Sequence, residues 1–243
     1  MPEPGSTKPR SVAIVTGAAG GIGREIVARL VASDVDVLAV DAQESVLDMS
    51  VRRGSDSSGS VIGFVADLLD AGQCRSAVQR AERDLGPVTI VVNAAGVMHK
   101  KPLAQHTDAD WDLEMGVNAR AAFMICRETV PKMAAAGHGI VVNIASIWAH
   151  RGGPDRVAYI AAKHAMIGLT RALDAEFGPI VRINSVSPGP TRTPMTAALG
   201  GDQSAWMDPT QVGDVVAFLC SPSAAGIVGT DVEVFGPGRP AGL

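Results

Sequence analysis

From Ser11 onward, short apolar runs of strand length alternate with segments long enough to be helices, and this alternation constrains the fold more than any other feature of the chain. The runs are Val12–Thr16, Val35–Val40, Val61–Ala66, Thr89–Asn93, Ile140–Ile144, Val181–Val186 and Val232–Phe235. Helix candidates lie between them over Ile22–Ala32, Gln43–Arg52, Ala71–Leu85, Asp108–Ala136, Val157–Phe177 and Gln211–Leu219. Two parallel strands joined through a helix close by a right-handed crossover, and repeating that unit builds one sheet covered on both faces. The expected fold is therefore α/β, a doubly wound Rossmann-type parallel sheet with helices on both faces. Composition agrees, being 47% hydrophobic but only 4% aromatic. The apolar content is thus mostly Ala, Val, Ile and Leu, which suits strands buried on both faces. A length of 243 residues holds one large domain and is short for two. We expect a disordered lead-in over 1–10 and a single domain over 11–243. Gly54–Ser60 reads as a polar surface linker, and a Pro-, Gly- and Met-rich loop over 188–209 sits at the ligand-facing edge.

Charge narrows the partners. The net charge is −4 and there is no basic block, so nucleic acid and membrane are not expected partners. No apolar run approaches a membrane span, and the first ten residues contain no apolar signal region. Cys74, Cys126 and Cys220 are widely spaced with no CxxC pair, which reads as reduced thiols in a cytoplasmic protein. No metal cluster is expected.

The first strand runs into a glycine turn and then a helix. Gly17, Gly21 and Gly23 in that turn allow a diphosphate to approach backbone N–H groups at the positive end of the helix. Asp41 ends the second strand, 18 residues after Gly23. A carboxylate there accepts hydrogen bonds from ribose hydroxyls and repels a 2′-phosphate, and Ala18, Ala19, Ala42 and Gln43 supply no compensating cation. The expected cofactor is therefore NAD; the plainer alternative for Asp41 is a solvated strand end. Asp67, at the end of the third strand, is either an adenine contact or a helix N-cap.

With these features in hand, the chain resembles the short-chain dehydrogenase/reductase family of single-domain type, from Ser11 to Pro237. The T-G-x₃-G-x-G motif is Thr16 to Gly23. Asn93 to Gly96 reads N-A-A-G where the family usually has N-N-A-G, so Ala94 replaces an Asn, and Phe235 stands where the family usually shows Asp. The resemblance implies a catalytic set of Asn118, Ser146, Tyr159 and Lys163. It also implies cofactor contacts from Gly17, Gly21, Ile22, Gly23, Asp41, Asp67, Leu68, Asn93, Gly96, Tyr159, Lys163, Pro188, Gly189 and Thr193. Lys163 would hold the nicotinamide ribose and Asn118 would order a water relay to it. A homotetramer is implied as well. Two long helices rich in Ala, Met and Leu offer surplus apolar surface for a two-fold interface.

The chemistry can be read beside the resemblance. Tyr159 and Lys163 are four apart and share a helix face. A phenol of ordinary pKa about 10 is a poor base, and a nearby ammonium is expected to lower that pKa. Tyr159 then exchanges a proton with the alcohol oxygen while hydride leaves or arrives, and Ser146, just past a strand, is placed to hydrogen-bond the reacting oxygen. Alone, this pair would read as a packed Tyr and a solvated Lys. Met98, His99, Ile147, Trp148, His150, Pro190, Met195, Trp206 and Met207 are pocket candidates, or else simply core of the loop. Arg151 and Arg192 are candidates for an acidic group or solvated surface charges. The function expected is an NAD(H)-dependent oxidoreductase interconverting a hydrophobic or alicyclic secondary alcohol and its ketone. A 3-oxoacyl thioester reductase is the alternative within that class, and a non-catalytic nucleotide-sensing protein the alternative outside it. Residues 194–208 are expected to act as a small lid hinged at Gly200 and Gly201.

Overall fold

The computed structural model describes residues 10–50, 59–197, 199 and 203–236. Most of the expected lead-in, most of the Gly54–Ser60 linker, and Gly200 and Gly201 lie outside them. A parallel sheet of seven strands runs in the order β3-β2-β1-β4-β5-β6-β7. The strands are β1 Val12–Thr16, β2 Asp36–Asp41, β3 Val61–Val65, β4 Ile90–Asn93, β5 Gly139–Ile144, β6 Val181–Pro188 and β7 Asp231–Val234. The helices are α1 Gly21–Ala32, α2 Ala71–Asp84, α3 Asp108–Met115, α4 Ala121–Ala135, α5 Val157–Phe177, α6 Pro194–Ala197 and α7 Pro209–Cys220.

The two-residue strand period divides the core into two layers. Ala13, Val15, Val37 and Ala39 face Ile26, Val27 and Leu30 of α1 and Val212, Val216 and Leu219 of α7. Their neighbours Val12, Ile14, Leu38 and Val40 face Cys74, Ala77 and Val78 of α2 and Met124 and Ile125 of α4. Each β1 side chain named is essentially fully buried, which is why this strand shows no polar alternation. Strand order reverses between β1 and β4, and in such sheets the carboxyl ends flanking the reversal form the ligand crevice.

Two expected helices differ. The segment expected to be helical from Gln43 is a 3₁₀ turn over Glu44–Met49. It lies directly on β3: Val46 is buried, the Gly63 N–H donates to Ser50 Oγ at 2.9 Å, and a side chain at Gly63 would strike the Val46 backbone. The long helix expected over Asp108–Ala136 is interrupted by a π-helical segment at Gly116–Arg120. The expected single helix takes no account of the one-residue phase shift that such a bulge introduces.

Candidate functional site

The ends of β1, β2, β4, β5 and β6 open into one cavity of about 880 Å³. At its floor, Gly17 has φ +67°, and a Cβ there would come within 2.6 Å of Ala95. A Cβ at Gly21 would come within 3.0 Å of Thr193. A Cβ at Gly23 would strike the Gly17 carbonyl, so Gly17 and Gly23 are required by close packing of backbone, whereas Gly21 only abuts the Thr193 side chain. The N-cap of α1 is Gly20, which offers no side-chain acceptor to the first-turn N–H groups. Those donors and the helix dipole make a cradle that fits an anionic diphosphate.

Asp41 closes the far end of the cavity and is 8% exposed. Its Oδ2 accepts the Ala19 N–H at 2.9 Å and its Oδ1 the Gln43 N–H at 3.0 Å, so the carboxylate is fixed in place. Arg24 reaches the outside of the same turn, donating from Nε to the Ala19 carbonyl at 2.9 Å, without lining the cavity. Asp67 and Leu68 line the cavity beside it. Asp67 is not the N-cap of α2; that role falls to Asp70, which accepts the Gly72 and Gln73 N–H groups.

The expected catalytic side chains all line the cavity. The π segment carries Asn118, whose Nδ2 donates to the Val97 carbonyl at 2.8 Å and to the Glu114 carbonyl at 2.9 Å. Ser146 follows β5 and accepts the Trp148 N–H at 3.2 Å. Tyr159 and Lys163 lie on one face of α5, with Lys163 Nζ 5.6 Å from the centre of the phenol ring. That ammonium donates to the Ile144 carbonyl at 2.9 Å.

Electrostatics here departs from the expectation. Burial pushes the Tyr159 phenol up from its ordinary value, opposed by its hydrogen bond with Ser146. The Glu114 charge adds to the rise and the Arg156 charge opposes it. Burial likewise brings Lys163 down to about 8. The expected lowering of the phenol by Lys163 is thus reversed in this structure, because both groups share one dry pocket and desolvation outweighs their mutual effect.

Other expected residues sort clearly. Ile22, Gly23, Gly96, Pro188, Gly189 and Thr193 line the cavity, as do Met98, His99, Ile147, Trp148, Pro190, Met195 and Trp206. Asn93 does not: the pleat turns it inward, where Nδ2 donates to Asn143 Oδ1 at 2.8 Å across the β4–β5 pairing. Met207 is 2% exposed and belongs to the core, so of the loop's apolar residues it serves as an anchor. His150 instead pairs with Asp231 at 2.7 Å. Arg151 and Arg192 sit near Glu233, at 3.9 Å, and Asp208, at 3.2 Å. Two charges near the site escape sequence reading, one behind the cavity wall and one lining it. Glu114 is fully buried, with Oε1 3.1 Å from His99 Nδ1 and Oε2 without a partner. Arg156 stands just before α5. The only sequence signal for either was its spacing, four residues before Asn118 and three before Tyr159.

A family model described as short chain dehydrogenase matches residues 11–204. Among solved structures, levodione reductase is similar over 96% of this chain and 98% of its own, with TM-score 0.84 and 28% identity. A protein from Beutenbergia cavernae, described as an NAD(P)-dependent gluconate 5-dehydrogenase and holding NADP, is 31% identical, with TM-score 0.85 over 93% of this chain and 96% of that one. The 3-ketoacyl-(acyl-carrier-protein) reductase of Brucella melitensis, complexed with NADH, is 27% identical, with TM-score 0.83 over 92% and 96%.

Proposed function

This chain belongs to the short-chain dehydrogenase family and is an oxidoreductase acting on CH–OH groups with a nicotinamide cofactor, and on that premise we propose that it uses NAD(H) to interconvert a hydrophobic or alicyclic secondary alcohol and its ketone. The observation that carries the reading is the meeting of Ser146, Tyr159 and Lys163 in one buried corner of an otherwise largely apolar cavity.

When bound, the nicotinamide supplies or accepts the hydride. The glycine turn from Gly17 to Gly23 would hold the diphosphate, Asp41 the adenosine ribose, Asp67 and Leu68 the adenine side, and Gly96, Pro188, Gly189 and Thr193 the nicotinamide end. Lys163 would also reach the nicotinamide ribose. Tyr159 holds the proton that passes to or from the alcohol oxygen, and Ser146 orients that oxygen by hydrogen bonding. Asn118 is a positioning residue: its amide ties the π segment to Val97 in the loop after β4 and so fixes the wall beside Lys163. The raised phenol keeps Tyr159 protonated, the form that ketone reduction needs, but makes it a weaker acid; a positive charge beside it must favour the phenolate for the proton to pass readily in either direction.

Preference for NAD(H) is supported by the pinned Asp41 carboxylate and its uncharged neighbours. A 2′-phosphate about 4 Å from that charge would lose about 1 kcal/mol in water and about 4 kcal/mol near a protein surface. We therefore expect kcat/KM to favour NADH over NADPH by roughly 10- to 100-fold with any accepted ketone. Steady-state assays with both cofactors over a panel of ketones, diols and 3-oxoacyl thioesters test the reading as a whole. Equal use of NADPH refutes the cofactor assignment, turnover confined to thioesters refutes the substrate class, and tight cofactor binding without any turnover favours a nucleotide sensor.

The assembly proposed is a homotetramer in the cytoplasm. Trp111 and Phe123 are 44% and 47% exposed on the α3 and α4 faces, and a shallow groove joins Phe123 to Leu169 of α5. The free, buried cysteines support a reducing compartment. No helix among the described residues is long and apolar enough to cross a membrane.

A further inference from the structure

Of the arginines that border the substrate end, Arg151 and Arg192 sit near the carboxylates of Glu233 and Asp208. Arg156 has no such partner among the described residues. One of its guanidinium nitrogens, Nη1, donates to the Pro154 carbonyl at 3.1 Å. Its guanidinium lies 5.2 Å from the centre of the Trp148 ring. Its Nε–H is buried and unpartnered. A guanidinium carries five donors in a rigid fork, and leaving one of them dry and unused is costly. The Trp148 ring is itself held in place, because it packs directly against Gly153, where no side chain has room. Arg156 lines the same cavity as Tyr159 and acts electrostatically on its phenol.

Behind the cavity-lining His99 lie two carboxylates, each with a cationic or imidazole neighbour. Glu114 has His99 Nδ1 at 3.1 Å, and Asp110 has Lys101 at 2.6 Å and His99 at 4.0 Å. Arg156 is therefore the arginine of the substrate end without a carboxylate of its own among the described residues; Lys163, the other cavity cation without one, donates to the Ile144 carbonyl. A planar fork on an aromatic face suits bidentate recognition of a carboxylate.

We propose that Arg156 anchors a carboxylate of the substrate, so that the favoured alcohol is a short hydroxy acid whose carboxylate lies only a few bonds from the carbinol carbon. The carboxylate seats on the guanidinium, the apolar remainder fills the cavity toward Met98, Met195 and Trp206, and the carbinol oxygen faces Ser146 and Tyr159. This inference rests on the dehydrogenase reading above and narrows its substrate class.

The test compares short-chain 2- and 3-hydroxy acids with their methyl esters, in wild type and in Arg156→Met and Arg156→Lys. Wild type is expected to favour the acids in kcat/KM. In Arg156→Met that acid-to-ester ratio falls about 30- to 100-fold, chiefly through KM, the scale of a charge-assisted pair. Arg156→Lys recovers part of it, since lysine lacks the fork. Loss of the Arg156 charge from the Tyr159 environment affects acids and esters alike, so the ratio reports the anchor alone. A wild type that favours the esters, or an Arg156→Met chain that loses both in equal proportion, overturns the proposal while leaving the dehydrogenase reading intact. If no alcohol is turned over, that reading fails, and calorimetric titration of the same acids into the NAD-saturated protein still decides. Binding by wild type that is lost in Arg156→Met supports the anchor, and binding that is absent or equal in both refutes it.

Discussion

Replacing Lys163 by methionine should make the protein more stable at neutral pH and less stable at high pH, a reversal that follows from where the ammonium sits. Burial brings Lys163 from 10.5 to about 8. At 1.36 kcal/mol per pH unit, holding the charge inside costs about 3 kcal/mol wherever both folded and unfolded chains are protonated. Methionine fills a similar volume without charge, but it leaves the Ile144 carbonyl without the donor now 2.9 Å away. An orphaned buried acceptor costs about 1–3 kcal/mol. The variant should therefore gain about 1–2 kcal/mol at pH 7. The sign with pH is as follows. Between about 8 and 10.5 the unfolded chain keeps the Lys163 proton that the folded chain has lost, so wild-type stability rises with pH in that window. By pH 9.5 the wild type has recovered about 2 kcal/mol, and the advantage of Lys163→Met should have vanished or changed sign. Other groups titrating there are common to both chains and drop out of the difference. Urea unfolding at pH 7.0 and 9.5, at one fixed protein concentration because assembly contributes, reads this directly. A variant that is destabilised by the same amount at both values would refute a buried, desolvated ammonium at this position.

Tyr159→Phe should lower kcat by about 10²- to 10⁴-fold while NADH affinity, read by fluorescence titration, changes little, because the ring keeps its shape and loses only the transferable proton. Near-normal turnover in that variant would mean that the proton comes from another group. Light scattering at micromolar concentration should give a mass near four times the 25.0 kDa of one chain. Phe123→Glu, on the exposed face of α4, should shift it toward smaller species, and a wild-type monomer would refute the assembly.

The centre of the sheet was legible because strands such as β1 and β4 are buried on both faces, so that each reads as an unbroken apolar run whatever its neighbours. Tyr159 and Lys163 were legible for a different reason: four residues apart on one helix, they need only local geometry to converge. Features created by distant packing were not legible. Asn93 sits in a motif associated with the cofactor, yet pairing with Asn143 turns it into the interior. Met207 and Trp206 are adjacent and similar in composition, but the parallel bridge of Met207 with Thr191 sends one into the core while the other lines the cavity. The phenol and the lysine were expected to tune each other. Their shared burial depends on the closeness of α5 to β5 and β6, which no spacing along the chain records. Arg156 shows the same limit, since its unmet donor is defined by which carboxylates fail to reach it.

The π segment at Gly116–Arg120 has an effect beyond placing Asn118. A regular α-helix advances 100° per residue, so a single extra residue offsets everything after it by about a quarter turn relative to what precedes it. Upstream, α3 presents Leu113 to the cavity and buries Glu114; downstream, α4 presents Met124 and Ile125 to the sheet and Phe123 to the outside. The bulge therefore works as a rotary joint in the sequence, letting the cavity wall and the outer face of the same rod obey separate residue patterns. Substitutions that reshape the outer face need not turn Asn118, whereas deletion of one residue within the segment would bring the two patterns into a single phase and swing the asparagine away from Val97.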